Sequence, residues 1–178
     1  MPKYVAFLRA INVGGHTVKM GHLRRLFEAM GFSNVETFIA SGNVIFDSTS
    51  KSTNGLEKKI GTYLRKTFGY QVATFIRSIP ELTEIARYKP FPDSELNAEG
   101  DTLYIAFLPD KPGKESKKKL LAFATAIDDL HVYGREVYWL RRKRVESKFV
   151  APPLEKTLGM QATLRNSTTV KRILSRYS

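Results

Sequence analysis

Apolar positions recur along the chain with two periods, and an element begins or ends where one period gives way to the other. Tyr4–Arg9 is rich in β-branched and aromatic residues and predicts a strand. Leu23, Leu26, Phe27 and Met30 then fall at i, i+3, i+4 and i+7, one buried helical face, with Gly31 as the stop. Val35–Ala40 and Val44–Phe46 predict two strands around the hairpin turn Ser41-Gly42-Asn43. Leu56, Ile60, Tyr63, Leu64 and Phe68 form a second amphipathic helix closed by Gly69, and Gln71–Ile76 a fourth strand. The order is β-α-β-β-α-β, the split pattern of ferredoxin-like domains.

After a short helix over Ile79–Arg87, the polar stretch Lys89–Asp101, with Pro90 and Pro92, reads as a linker. The order then starts again. Leu103–Leu108 is a strand, Glu115–Ile127 a helix, and Leu130–Tyr133 with Glu136–Leu140 a hairpin around Gly134-Arg135. Asp128-Asp129 reads as a turn closing that helix, Pro152–Leu158 as a short helix and Gln161–Leu164 as a last strand, before a terminal helix over Thr168–Arg176. The pattern predicts an α+β fold of two tandem ferredoxin-like units with an added C-terminal helix. Residues 1–88 are the first unit, 89–101 the linker and 102–178 the second unit. The element order is duplicated without a repeat at the level of residues.

Composition narrows the chemistry. With 178 residues, 42% hydrophobic and 26% charged, the chain can bury a core without staples. It has no cysteine, which excludes disulfides, thiolate metal sites and a cysteine nucleophile. Arg9 interrupts the N-terminal apolar stretch, against a targeting signal, and the run Leu120–Ile127 falls far short of the roughly 18 residues a membrane span needs. A soluble, cytoplasmic protein without a membrane partner is expected.

The net charge of +12 is uneven. Residues 1–110 carry 13 basic and 11 acidic side chains, and residues 111–178 carry 16 and 6. The second unit thus reads as strongly basic, with dense clusters at Lys117–Lys119 and Arg141–Arg144.

Phe7-Leu8-Arg9-Ala10-Ile11-Asn12-Val13-Gly14-Gly15, followed by Met20, Leu23, Gly31 and Ile39-Ala40-Ser41-Gly42-Asn43-Val44, forms a distinctive N-terminal motif. Gly134-Arg135-Glu136-Val137-Tyr138, Ser147-Lys148-Phe149 and Thr163-Leu164-Arg165-Asn166 with Thr169-Val170 extend it. Together they resemble a bacterial family catalogued as domain of unknown function 1697. The resemblance implies an α+β fold with ferredoxin-like halves and no particular reaction. Ser167 stands where members often carry an aromatic residue, and Val150 where they often carry Asn.

Three constellations carry candidate chemistry. The split topology brings Arg9, Asn12, Gly14, Gly15 and Lys19 to the same edge as Ser41, Gly42 and Asn43. There, glycine backbone and a helix N-terminus suit a small phosphorylated or nucleotide ligand. The alternative is a pair of ordinary turns with Asn side chains capping the backbone. In the second unit the same topology makes Ser147-Lys148 and Arg165-Asn166 neighbours. They form an anion site, or else Asn166 caps the last helix and Arg165 pairs with Glu146 or Glu155. Trp139, Arg141, Arg142, Lys143 and Arg144 combine aromatic and basic groups as nucleic-acid surfaces do; the alternative is a buried Trp139 beside a solvated basic edge.

His16, His22 and His131 make no metal-ligand spacing, and no nucleophile elbow, dinucleotide fingerprint or phosphate loop is present. No cofactor, metal or reaction is predicted. The expectation is a non-enzymatic protein binding nucleic acid or another polyanion through its basic C-terminal unit. The alternatives are an enzyme or sensor for a small anionic ligand at the Arg9–Gly15/Ser41–Asn43 edge, and a structural or oligomeric protein.

Overall fold

The computed structural model describes residues 1–9, 11, 17–39, 42–143 and 151–178. Two compact units divide the chain, Met1–Thr83 with Ile173–Ser178, and Glu84–Arg172.

In the first unit, Lys3–Leu8 (β1) is central to a four-stranded antiparallel sheet. Its partners are Asn43–Asp47 (β3) and Thr74–Ser78 (β4), with Ser33–Thr37 (β2) outside β3. Alternation along β1 sends Tyr4, Ala6 and Leu8 to one face. There they pack with Val44, Phe46 and Ile76 beneath the apolar stripes of Met20–Ala29 (α1) and Thr53–Phe68 (α2). Val5, Phe7, Ile45, Phe75 and Arg77 on the opposite face are buried too. The second helix is well delimited: Ser52 Oγ accepts the Gly55 N–H at 3.1 Å, and Gly69 ends it at φ +79°. Ile79–Arg87 (α3) follows β4 directly.

The second unit repeats this plan. Asp93–Leu96 (α4) precedes Thr102–Phe107 (β5), Lys114–Leu121 (α5), the hairpin Asp128–Tyr133 (β6) and Glu136–Arg141 (β7), Leu154–Leu158 (α6) and Thr163–Asn166 (β8). Ser167–Tyr177 (α7) closes the chain. The sheet orders β2-β3-β1-β4 and β6-β7-β5-β8 are one permutation used twice. Leu120 of α5 and Leu158 of α6 pack with Ala106, Leu108, Val137 and Trp139 in the second core.

Several expectations change. The helix expected over Glu115–Ile127 stops at Leu121. Thr125 Oγ1 accepts the N–H groups of Ile127 and Asp128 at 3.1 and 3.0 Å, drawing the chain out of the helix. Leu121 and Phe123, in the apolar run Leu120–Ile127, are exposed, Phe123 by 45%. Asp128-Asp129, read as a turn, begins β6. The stretch 89–101, read as a linker, holds α4 and lies inside the second unit, while the terminal helix is divided between the units.

This division redistributes the charge. The first unit carries 12 basic and 5 acidic residues, a net of +7; the second carries 17 and 12, a net of +5. The strongly basic second unit was a product of the boundary. The acidic residues before position 102 belong with the basic ones that follow.

A residue-level repeat also emerges from the register. Val5 faces Arg77 and Phe7 faces Phe75, while Ile105 faces Arg165 and Phe107 faces Thr163. Tyr4-Val5-Ala6-Phe7-Leu8 is thus the counterpart of Tyr104-Ile105-Ala106-Phe107-Leu108, and Arg77 of Arg165.

Candidate functional site

Among the described residues, the end of β1 meets the turn at Gly42 and the chain leading into β4. The Leu8 N–H donates to the Gly42 carbonyl at 2.9 Å, and the Arg9 N–H to Ala73 at 2.9 Å. The Asn43 side chain, however, serves the turn. Asn43 is 1% exposed and its Nδ2 donates to the Phe38 carbonyl at 3.0 Å, locking the hairpin from inside. Gly42 sits at φ +80°, and a Cβ there would lie 3.0 Å from Ile11 and 3.1 Å from the Leu8 carbonyl oxygen. Both features require glycine whether or not anything binds. Lys19 is exposed, and its carbonyl accepts the Leu23 N–H at the start of α1. Asn12, Gly14, Gly15 and Ser41 lie outside the described residues.

The basic run at the end of β7 is held within its own unit. Trp139 has no exposed surface; it stacks on Tyr104 and its Nε1 donates to Asp128 at 2.8 Å. Arg141 pairs with the same carboxylate at 3.1 Å, and Arg142 reaches Glu95 at 2.7 Å and Asp129 at 3.4 Å. The Lys143 N–H donates to Asp101 at 3.0 Å. Trp139 is therefore no stacking platform. Arg141 and Arg142 spend their charge on acids expected in a linker and a turn. Lys143 is exposed, and Arg144 lies outside the described residues.

Arg165 and Asn166, proposed as a pair, take opposite roles. Arg165 is buried and donates through Nη1 to Thr163 Oγ1 at 2.8 Å and to the Leu164 carbonyl at 2.9 Å; burial pulls its guanidinium down to about 10. Arg77 makes the matching bond to the Ile76 carbonyl at 2.9 Å and faces Glu57 at 3.7 Å. The shared geometry marks both arginines as fixtures of the strand following the second helix of each unit. Asn166 instead borders open space. Ser147 and Lys148 lie outside the described residues.

That space is a cavity of about 580 Å³ lying wholly in the second unit. Ile85, Ala86, Leu96, Leu103 and Ile105 give it apolar walls, and Asn166, Ser167 and Thr168 bring the start of α7 to its surface. Arg87, Lys89 and Lys171 supply positive charge, against Asp93 and Asp101. Lys89 is paired with Asp93 at 3.1 Å and Asp101 with the Lys143 N–H. Arg87 and Lys171 form no ion pair among the described residues. Tyr88, also in the wall, hydrogen-bonds to His131 Nε2 at 2.6 Å and stacks on Tyr133. Burial, and then Lys117, pull the His131 imidazole below its ordinary range, with Asp129 opposing. Tyr138 donates its hydroxyl to the Ile85 carbonyl at 2.8 Å, and burial raises its phenol. Its volume and convergent polar groups are attributes of a small-molecule site, although its wall is more polar than such sites usually are. Among the described residues, no group of three or more His, Asp or Glu is placed to hold a metal ion. No helix among them is long and apolar enough to cross a membrane.

The sequence analysis named Asn166, which lines this cavity, and did not name Arg87 or Lys171, which lie in helices α3 and α7. No repeat in the sequence leads to them: the strand register matches Arg77 to Arg165, and at that offset Arg87 falls against Ser175 and Lys171 against Thr83.

Residues 1–138 match the family model described as protein of unknown function (DUF1697). The chain belongs to this family. The match ends at Tyr138, so β8 and α7 lie beyond the matched part of this DUF1697 protein. A similar fold occurs in the solved structure of the conserved bacterial protein SP0830 from Streptococcus pneumoniae. That likeness has a TM-score of 0.75 and 19% sequence identity, covering 98% of this chain and 97% of the other. No curated protein matches the chain.

Proposed function

We propose that this protein binds a small anionic organic molecule in the cavity of its second unit. The observation that carries the reading is the pairing of Arg87 and Lys171, both without an ion-pair partner among the described residues, with a space of about 580 Å³ whose wall is part apolar and part polar. A ligand's apolar body would leave water against Ile85, Leu96 and Leu103 while its charge met the two cations. Each unit is read as ferredoxin-like, because the strand order with the second unit's β5 or the first unit's β1 in the centre fits that topology. Fold alone assigns no activity.

Ligand binding to the folded state raises the melting temperature by mass action. A panel of small carboxylates and phosphates should therefore contain compounds that give a saturable rise. The rise should disappear in the Arg87→Ala/Lys171→Ala double variant while Arg9→Ala leaves it unchanged. A rise that survives the double variant, or none across the panel, would remove this cavity as the site.

A further inference from the structure

Resting on that reading, we infer that the cavity's ligand is a monocarboxylate with an apolar body, its carboxylate occupying the place that Glu81 fills in the first unit. The two units supply the template. In the first, the bond from the Arg9 N–H to Ala73 fixes the alternation along β4, so the Ser78 N–H points away from β1. That N–H donates to Glu81 Oε1 at 3.2 Å, and the Glu81 N–H donates back to Ser78 Oγ at 3.2 Å. A carboxylate thus closes the start of α3, as a capping box does.

In the second unit, the bond from the Leu108 N–H to Arg135 sets the same alternation, and the Asn166 N–H points away from β5. Asn166 Oδ1 accepts the Thr168 N–H at 2.9 Å, which matches the serine's half of the box. The position equivalent to Glu81 is Thr169, and the first turn of α7 contains no acid. The strand-to-helix corner that holds a carboxylate in one repeat opens, in the other, onto a cavity with three cations in its wall, of which Lys89 is paired with Asp93.

Charge selects the valence of the anion. Arg87, Lys89 and Lys171 stand against Asp93 and Asp101, so the lining carries one net positive charge. A carboxylate balances it; a phosphate monoester dianion would leave an excess negative charge beside two aspartates. Polar groups make up the larger part of the lining, and the patch formed by Ile85, Leu96, Leu103 and Ile105 is where a hydrocarbon or aromatic body would sit.

The test is calorimetric titration of the full-length chain with benzoate, benzamide and phenyl phosphate. Wild type should bind benzoate, bind phenyl phosphate at least about tenfold more weakly, and show no binding of benzamide. Thr169→Glu restores the internal carboxylate and should abolish benzoate binding without lowering the melting temperature. Thr169→Gln, which lacks the charge, should retain binding. Tighter binding of phenyl phosphate than of benzoate would overturn the carboxylate assignment while leaving an anion site. Equal binding of benzoate by Thr169→Glu and wild type would overturn its placement. Binding of none of the anions would overturn both this inference and the reading beneath it. The comparison of benzoate with benzamide needs no variant and so stands even if one fails to fold.

Discussion

At the end of β4 and at the end of β8 the chain makes the same turn from an edge strand into a helix, yet the corners differ in what they leave to the surroundings. The first is closed by Ser78 and Glu81, which exchange two hydrogen bonds. The second has only the amide of Asn166, which accepts a single bond, and it borders a cavity. One side chain, Glu81 against Thr169, separates a finished structural corner from one whose donors face open space. Two copies of a backbone plan can thus part in function without changing topology, because orphan N–H groups at a helix start need an acceptor from somewhere.

The comparison can be broken at the cores first. Phe46 and Trp139 occupy equivalent central positions, and both are fully buried. Replacing either with Ala should cost about 3–5 kcal/mol in urea unfolding. Trp139→Ala should be at least as damaging because Asp128 also loses its indole donor. A cost under about 1 kcal/mol for Trp139→Ala would mean that the ring is not core. The corners come next. Glu81→Ala should cost about 1 kcal/mol through loss of the capping box, and Thr169→Ala no more than about 0.5 kcal/mol. Equal costs would erase the distinction between them.

The smallest effect is expected from pH. His131 has a folded-state pKa below that of the unfolded chain. As pH falls through the ordinary histidine range, the unfolded chain takes up a proton first, so stability present above that range is lost on acidification. Unfolding measured at pH 7.5 and 5.5 should show a smaller loss for His131→Gln than for wild type. An unchanged loss would mean that the imidazole is not held neutral by its surroundings.

Much of the fold was legible because α1 and α2 each bury one apolar stripe, while the central strands, buried on both faces, read as short runs of β-branched and aromatic residues. Periodicity failed at Ala122–Ile127, where a single threonine hydroxyl outcompetes the helix. It failed again at Asp93–Leu96, where prolines and acids suggested a solvated connection. The candidate sites were less legible. Side chains such as Asn43 and Arg165 have the chemistry of ligand contacts but spend it on nearby backbone. Arg141 and Arg142 form a dense basic run whose neutralising acids are distant in sequence. Arg87 and Lys171 are distant from each other in sequence, and only the fold brings both to the lining of one cavity.

The most direct measurement of the central claim is an amide NMR titration of the full-length protein with benzoate. The account predicts saturable shifts at Asn166, Ser167 and Thr168, with Ser78 and Glu81 unmoved. Shifts at Ser78 and Glu81 with none at Asn166–Thr168, or no saturable shift at either corner, would contradict it.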